Sequence, residues 1–215
     1  MMKSTIKFLA TLLFLTGTYG FLNAQIGLGI RGGVNIATTE MEEKIDGNWE
    51  TDMQDYKLGI NASLLAEIGF SDRFAFQPEV NFIQKGSKKD VQNGATHVVT
   101  TNMNYVEVPL LLKGSFGKGN LKFNALLGPT FGYAFNGKVN FNDTDTDIDF
   151  EKDKIKQADI GAMLGLGLGL DAGPGTLFLD GRLGWGISNL NDAENSDNIQ
   201  WHNRGLNVGI GYIFR

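Results

Sequence analysis

The sequence predicts an all-β chain, folded as an eight-stranded antiparallel up-and-down transmembrane β-barrel. Three observations predict it. Eight segments alternate apolar and polar residues with the period of a strand. Short and long connections alternate between those segments. After the N-terminus no stretch is apolar for the ~20 residues that a spanning helix needs, so the chain enters a membrane as strands if it enters one at all.

The first residues read as a cleaved export signal, residues 1–24. Lys3 and Lys7 form a positive start, Phe8 to Leu15 is a short apolar run, and Leu22-Asn23-Ala24 puts a small residue at the cleavage position. The alternative, a transmembrane anchor, needs a longer apolar run. No Cys is present, so lipid anchoring, disulfides and thiolate chemistry are excluded. Residues 25–215 suit one domain. That mature chain has 17 Lys and Arg against 24 Asp and Glu, a net −7, which argues against nucleic acid as a partner.

In the first strand Ile26, Leu28, Ile30, Val34 and Ile36 share one face, and Gly27, Gly29, Arg31, Gly33 and Asn35 the other. The second sets Leu58, Ile60, Ala62, Leu64, Ala66, Ile68 and Phe70 against Lys57, Gly59, Asn61, Ser63 and Glu67. The third places Phe74, Phe76, Val80 and Phe82 opposite Gln77, Glu79, Asn81 and Lys85. The fourth opposes Val106, Val108, Leu110, Leu112 and Phe116 to Tyr105, Glu107, Lys113 and Ser115. The fifth carries Leu121, Phe123, Ala125, Leu127, Phe131, Tyr133 and Phe135 against Lys122, Asn124, Gly128, Thr130 and Gly132. The sixth, Ile160 to Leu170, alternates Leu with Gly and is bounded by Asp159 and Asp171; a helix with Gly at every second position would lose ~1 kcal/mol at each. The seventh has Leu177, Leu179, Leu183, Trp185 and Ile187 opposite Asp180, Arg182, Gly184, Gly186 and Ser188. The last has Leu206, Val208, Ile210, Tyr212 and Phe214 opposite Asn207, Gly209, Gly211 and Arg215. Pro78 and Pro109 fall inside strands, where each removes a ladder hydrogen bond and predicts a bulge or break.

The short connections are Ser71-Asp72, Gly117 to Asn120 and Gly173-Pro174-Gly175; the long ones run over 38–56, 86–103, 136–157 and 189–203. Four loops that long argue against a compact soluble domain, but they suit a barrel with short periplasmic turns and long outer loops. Alternation in Thr96 to Thr101 and Lys138 to Asn142 predicts strands that continue beyond the membrane.

A soluble barrel of the lipocalin kind would turn the polar face to water and the apolar face inward. Three features point the other way: the export signal, aromatics near strand ends (Phe70, Phe74, Phe116, Tyr133, Phe135, Trp185, Tyr212, Phe214), and glycines on the polar face, which suit a crowded interior. That face carries Arg31, Lys57, Lys85, Lys113, Lys122 and Arg182 against Glu67, Glu79, Glu107, Asp159, Asp171 and Asp180. Six against six predicts paired charges in a closed lumen, since unpaired buried charges are prohibitive. Eight strands leave an interior that side chains fill.

The stretches GIRGGVNIA (Gly29 to Ala37), FQPEVNFIQKG (Phe76 to Gly86), YVEVPLLLKG (Tyr105 to Gly114) and the closing GIGYIFR resemble the porin-like outer-membrane β-barrel family common in Bacteroidota. The resemblance covers the mature chain and implies an integral outer-membrane protein. A branch of that family takes part in type IX secretion and gliding machinery. One departure is the end: such barrels often close on an aromatic residue, whereas here Phe214 is penultimate and Arg215 last.

Candidate chemistry is sparse. Asp143, Asp145, Asp147 and Asp149 could converge on Ca²⁺, but Ile148 and Lys154 stand where an EF-hand needs Gly and Glu, so a solvated acidic loop is the expectation. His97 and His202 fall in outer loops and could serve a hydrolase triad, for which no Ser and acid are singled out. Trp49, Phe150 and Trp201 could dock a partner or simply pack the loops. Glu79, Glu107, Lys113 and Arg182 could line a translocation path, against which stands their pairing as a lumen plug. No catalytic, cofactor-binding or metal-ligating residue is assigned. The expected role is a non-enzymatic membrane scaffold or interaction protein working through its outer loops, with a secretion or gliding component and a lipid-modifying enzyme as alternatives. The expected partners are outer-membrane lipid and lipopolysaccharide, the barrel-assembly machinery during insertion, and a protein met through the loops.

Overall fold

The computed structural model describes residues 25–92, 96–142, 144–194 and 196–215; residues 1–24, read above as an export signal, lie outside them. Ten strands form one sheet: β1 (Gln25–Ile45), β2 (Asn48–Met53), β3 (Lys57–Gly69), β4 (Phe74–Gln92), β5 (Thr96–Phe116), β6 (Leu121–Phe141), β7 (Thr144–Asp147), β8 (Ala158–Ala172), β9 (Gly175–Gly186) and β10 (Ile199–Phe214). Eight of them close a ring in the order β1-β3-β4-β5-β6-β8-β9-β10, and β10 returns to β1 along a ladder from Leu28↔Phe214 to Glu43↔Ile199. Closure leaves no unpaired edge in hydrocarbon, which is what permits strands this apolar. The two additional strands lie in loops that alternation alone left unassigned: β2 pairs with the outer end of β1, and β7 with that of β6.

The alternation predicted from sequence is the alternation observed. Along β3, Lys57, Asn61, Ser63 and Glu67 are buried, while Leu58, Ile60 and Leu64 face outward and are exposed. The same division runs through β1, β8, β9 and β10. Only lipid makes such an outer surface stable, because it leaves leucines and phenylalanines uncovered around the whole ring. Aromatic girdles edge this band. On the short-turn side Phe70, Phe74 and Phe116 pack in succession, at ring-centroid distances of 6.5 and 6.3 Å. Tyr212 and Phe214 pack at 4.8 Å near the same end. Tyr133, Phe135 and Trp185 are exposed near the opposite edge.

The prolines interrupt ladders without shifting them. Pairing of β3 with β4 pauses between Leu65↔Glu79 and Ile68↔Phe76, beside Pro78, and resumes in the same register. Beside Pro109 the β5–β6 ladder pauses between Pro109↔Thr130 and Leu112↔Leu127 and likewise keeps register. The true irregularity lies elsewhere. Tyr105 pairs with Ala134 but Asn104 with Asn136, so Phe135 is bulged. One extra residue reverses the facing of β6 beyond it. Gly137 and Val139 thereby turn toward the space above the lumen.

Strands β4, β5 and β6 run to 19, 21 and 21 residues. About 9–11 residues cross a bilayer. The remainder stands outside as a wall on which the long loops rest, and this wall shapes the outer surface.

Candidate functional site

The inward face of the barrel carries ionised groups, and the fold brings them together across the lumen in three tiers. In the middle tier, Arg182 on β9 places Nη1 2.9 Å from both carboxylate oxygens of Glu79 on β4. Its Nη2 lies 2.8 Å from Asp180. Arg31 on β1 completes the tier with its Nη2 2.6 Å from Asp180, and it donates to Asn61 at 2.7 Å and Asn207 at 2.6 Å. Glycines make room for this. A Cβ on Gly209 would overlap the Arg31 guanidinium, and one on Gly167 would sit 2.8 Å from the Cβ of Asp180.

In the tier toward the outer loops, Lys85 bridges Glu107 at 2.6 Å and Asp159 at 3.1 Å. Asn203 donates to the same Asp159 at 2.8 Å, and Lys85 lies over the Tyr105 ring. In the tier toward the short turns, Lys113 meets Glu67 at 2.5 Å, Arg215 meets Glu67 at 2.7 Å, and Lys122 meets Asp171 at 3.3 Å. Five of the six predicted lumen cations thus have carboxylate partners. The sixth, Lys57, donates to the carbonyl of Leu58 at 3.2 Å. Arg215, the residue that departs from the aromatic ending, supplies a cation at the lower mouth.

Between the tiers lie voids of about 30 and 10 Å³. A single water needs a void of ~10–15 Å³, so each of these spaces has room for only a few waters. The reading of Glu79, Glu107, Lys113 and Arg182 as ion pairs filling the lumen is the one their geometry supports.

Above the upper tier the molecule opens. A cavity of about 520 Å³ sits over the plugged lumen, walled by β1 and the β2 end (Thr39, Met41, Gln54), β4 and β5 (Ser87, Thr101, Met103), β6 and β7 (Val139, Thr146), and two loops (Ile148, Ile155, Leu190). Trp201 of β10 closes the wall, and Asp147 and Asp153 are its charged residues. The walls are tied together. Ser87 Oγ donates to Gln54 Oε1 at 2.7 Å, and Thr38 Oγ1 to the Gln54 carbonyl at 2.6 Å. The amide of Ile148 donates to the Gly137 carbonyl at 2.9 Å, and that of Lys156 to the Leu190 carbonyl at 2.8 Å. Asn189 Oδ1 accepts from the amides of both Asn191 and Trp201. Ile148, Phe150 and Ile155 pack down on Ile83, Met103, Tyr105 and Ala134, so the outer loop has its own apolar core. Ligand pockets are usually pre-formed and mostly apolar, as this cup is.

The other candidates fall into place around it. Phe150 and Trp201 pack in the loops, while Trp49 on β2 is exposed beside Lys44. His202 is buried. Its Nδ1 lies 3.1 Å from the Ser188 carbonyl and its Nε2 3.3 Å from Gln200 Oε1. The Ser188 hydroxyl donates to Asp159 at 3.4 Å, and the Glu42 carboxylate lies 3.9 Å from His202 Nε2. His97 pairs with Val91 across the β4–β5 hairpin, far from His202 in the ladder order. Asp145 is engaged by Asn140 at 2.8 Å and Lys138 at 3.5 Å. Asp149 is engaged by Lys152 at 2.7 Å, whose side chain and amide hold its carboxyl below the usual carboxylate range. Asp143 lies outside the described residues.

Met41, Met103, Ile155 and Leu190 were not foreseen as a site. The signal for part of it was present: the alternating Asp run interleaves Ile148 and Phe150, the apolar half of a pattern whose acidic half drew the attention.

Residues 23–192 match the family model described as outer membrane protein beta-barrel domain. No curated protein sequence matches the chain. Similar solved structures include Ail, the attachment invasion locus protein of Yersinia pestis, with 14% identity, 86% of this chain and 98% of that chain covered, and a TM-score of 0.38. Neisserial surface protein A is 10% identical over 86% of this chain and 95% of its own, with a TM-score of 0.41. The outer membrane protease OmpT from Escherichia coli is 11% identical over 89% of this chain and 96% of its own, with a TM-score of 0.34.

Proposed function

The chain belongs to the outer membrane protein β-barrel domain family, and from that premise we propose that it is a non-enzymatic membrane scaffold or interaction protein acting through its extracellular face. The observation that carries this reading is the contrast between the two ends of one interior. The lumen is shut by three tiers of ion pairs, whereas the outer mouth is a built cup with tied walls. Residues 1–24 serve in this reading as the cleaved export signal, and the motifs from Gly29, Phe76 and Tyr105 support a Bacteroidota source. Lipid and lipopolysaccharide surround the apolar band, the assembly machinery inserts it, and a protein partner meets the loops.

The test is conductance across a planar bilayer together with loop exchange. The purified protein should give no discrete channel events. Replacing the outer loops, 38–56 and 136–157, with short turns should leave the barrel folded by heat-modifiable gel mobility while abolishing its cellular phenotype. Stable channel openings, or a phenotype that survives loop exchange, would overturn the reading.

A further inference from the structure

We propose that the outer cup binds a small cationic amphiphile, an apolar body carrying a protonated amine; the inference rests on the reading that the extracellular face is the working part. The size is suitable, since about 520 Å³ falls within the range of pockets that take a drug-sized ligand. Met41, Met103, Ile148, Ile155, Leu190 and Trp201 supply the apolar surface. The two methionines give it adaptable walls, since an unbranched thioether fills irregular gaps. The Trp201 ring adds a flat aromatic wall, and its indole N–H is buried with no acceptor among the described residues.

The sign of the charge follows from what surrounds the apolar walls. Among the described residues, Asp147 and Asp153 line the cup and no Lys, Arg or His does. Lys138, the cation paired with Asp147, stands 4.0 Å away, and the Asp147 side chain is 81% exposed. Over the whole outer mouth, residues 38–56, 86–103, 136–157 and 189–203 hold seventeen Asp and Glu against seven Lys and Arg. A cleft of one sign concentrates counter-charged ligands and repels like-charged ones. A fatty carboxylate of the same length would therefore be turned away from walls that suit its tail. The plug of Lys85, Glu107 and Asp159 beneath makes the cup a dead end, so the ligand is held and does not pass.

The experiment uses the full chain folded into phosphatidylcholine nanodiscs, with Trp49→Phe and Trp185→Phe so that Trp201 is the fluorescent reporter. Octylammonium, octanol and octanoate are titrated separately. Octylammonium should shift Trp201 emission saturably, with octanoate bound about tenfold or more weaker. Asp147→Asn with Asp153→Asn should remove that preference and leave octanol binding unchanged. Leu190→Phe, which narrows the cup without adding an indole, should weaken all three, and unboiled gel mobility confirms that each variant is folded. Equal response to octanoate and octylammonium, or no saturation by any probe, would overturn the inference. A protein that fails here but stays silent in the bilayer keeps the scaffold reading, whereas one that conducts loses that reading whatever the titration shows.

Discussion

Removing Arg182 should destabilise the barrel far more than removing an arginine of equal length at its rim. Its guanidinium is 2% exposed and meets Glu79 and Asp180, whose side chains are 0% and 4% exposed. In Arg182→Ala, Asp180 keeps Arg31 at 2.6 Å, but Glu79 keeps only the neutral amide of Gln77 at 2.7 Å. One carboxylate is then buried without a cation, which costs about 3–5 kcal/mol. At 1.4 kcal/mol per factor of ten, that is roughly two to four powers of ten in the folding equilibrium. Arg204 is the internal control. It pairs with Glu40 at 2.5 Å on the outer side, with the two side chains 22% and 15% exposed, so water reaches the carboxylate left behind and loss of Arg204 should cost less than that of Arg182. The assay is reversible urea unfolding in phosphatidylcholine vesicles, followed by tryptophan emission and by the mobility of unboiled samples. Arg182→Met combined with Glu79→Leu removes both charges and should recover most of the loss, because buried pairs replaced by apolar groups are often neutral in stability. Equal costs for Arg182→Ala and Arg204→Ala, or a double variant no better than the single one, would refute the view that uncompensated burial governs this lumen.

Leu166 lies mid-strand on the outer face and is 67% exposed, so Leu166→Arg should cost about 2–4 kcal/mol in the same unfolding assay. A change within error would argue against lipid contact there. Gly209→Val places atoms where the Arg31 guanidinium lies, so that side chain must leave Asp180 and the barrel should be destabilised in the same assay; an unchanged midpoint would contradict the packing. In the outer loop, Asp149 is held below the ordinary carboxylate range, so its contact with Lys152 is complete at neutral pH and is lost only as pH falls through that lowered value. The Lys152 amide shift should report this by NMR and lose the dependence in Asp149→Asn; a titration at or above the ordinary Asp range would refute it.

The strands were legible because hydrocarbon enforces strict alternation: one outward Lys in mid-strand is expensive, so Leu58, Ile60 and Leu64 mark their face without help from neighbours. The charge balance of the lumen was legible for the same reason in reverse. The partners were not. Arg31 and Asp180 are 149 positions apart, and which cation meets which acid depends on strand stagger, which alternation does not encode. Nor was the bulge at Phe135, where one unpaired residue reverses the facing of Gly137 and Val139 and creates part of the cup wall. Above the membrane both faces of a strand meet water or loop, so the constraint that made the rest readable disappears. That is why β2 and β7 lay hidden in segments taken as connections.

The distribution of charge carries this separation into function. Residues 25–215 hold 24 acidic residues. Six are lumen partners, Asp72 sits in a short turn, and the other seventeen lie in the four outer segments. Of the seventeen Lys and Arg, six belong to the lumen and seven to the outer segments. The interior therefore neutralises itself, and the pairs of its middle tier are buried. The outer mouth keeps an excess of ten negative charges that nothing in the fold requires. Self-repulsion of that size weakens the compact arrangement of loops, yet the loops are tied to one another and to long strands built to hold them. A costly charge on a braced cup is consistent with selection acting on what that surface attracts, and the same charge would be useless to a barrel whose task lay in its lumen.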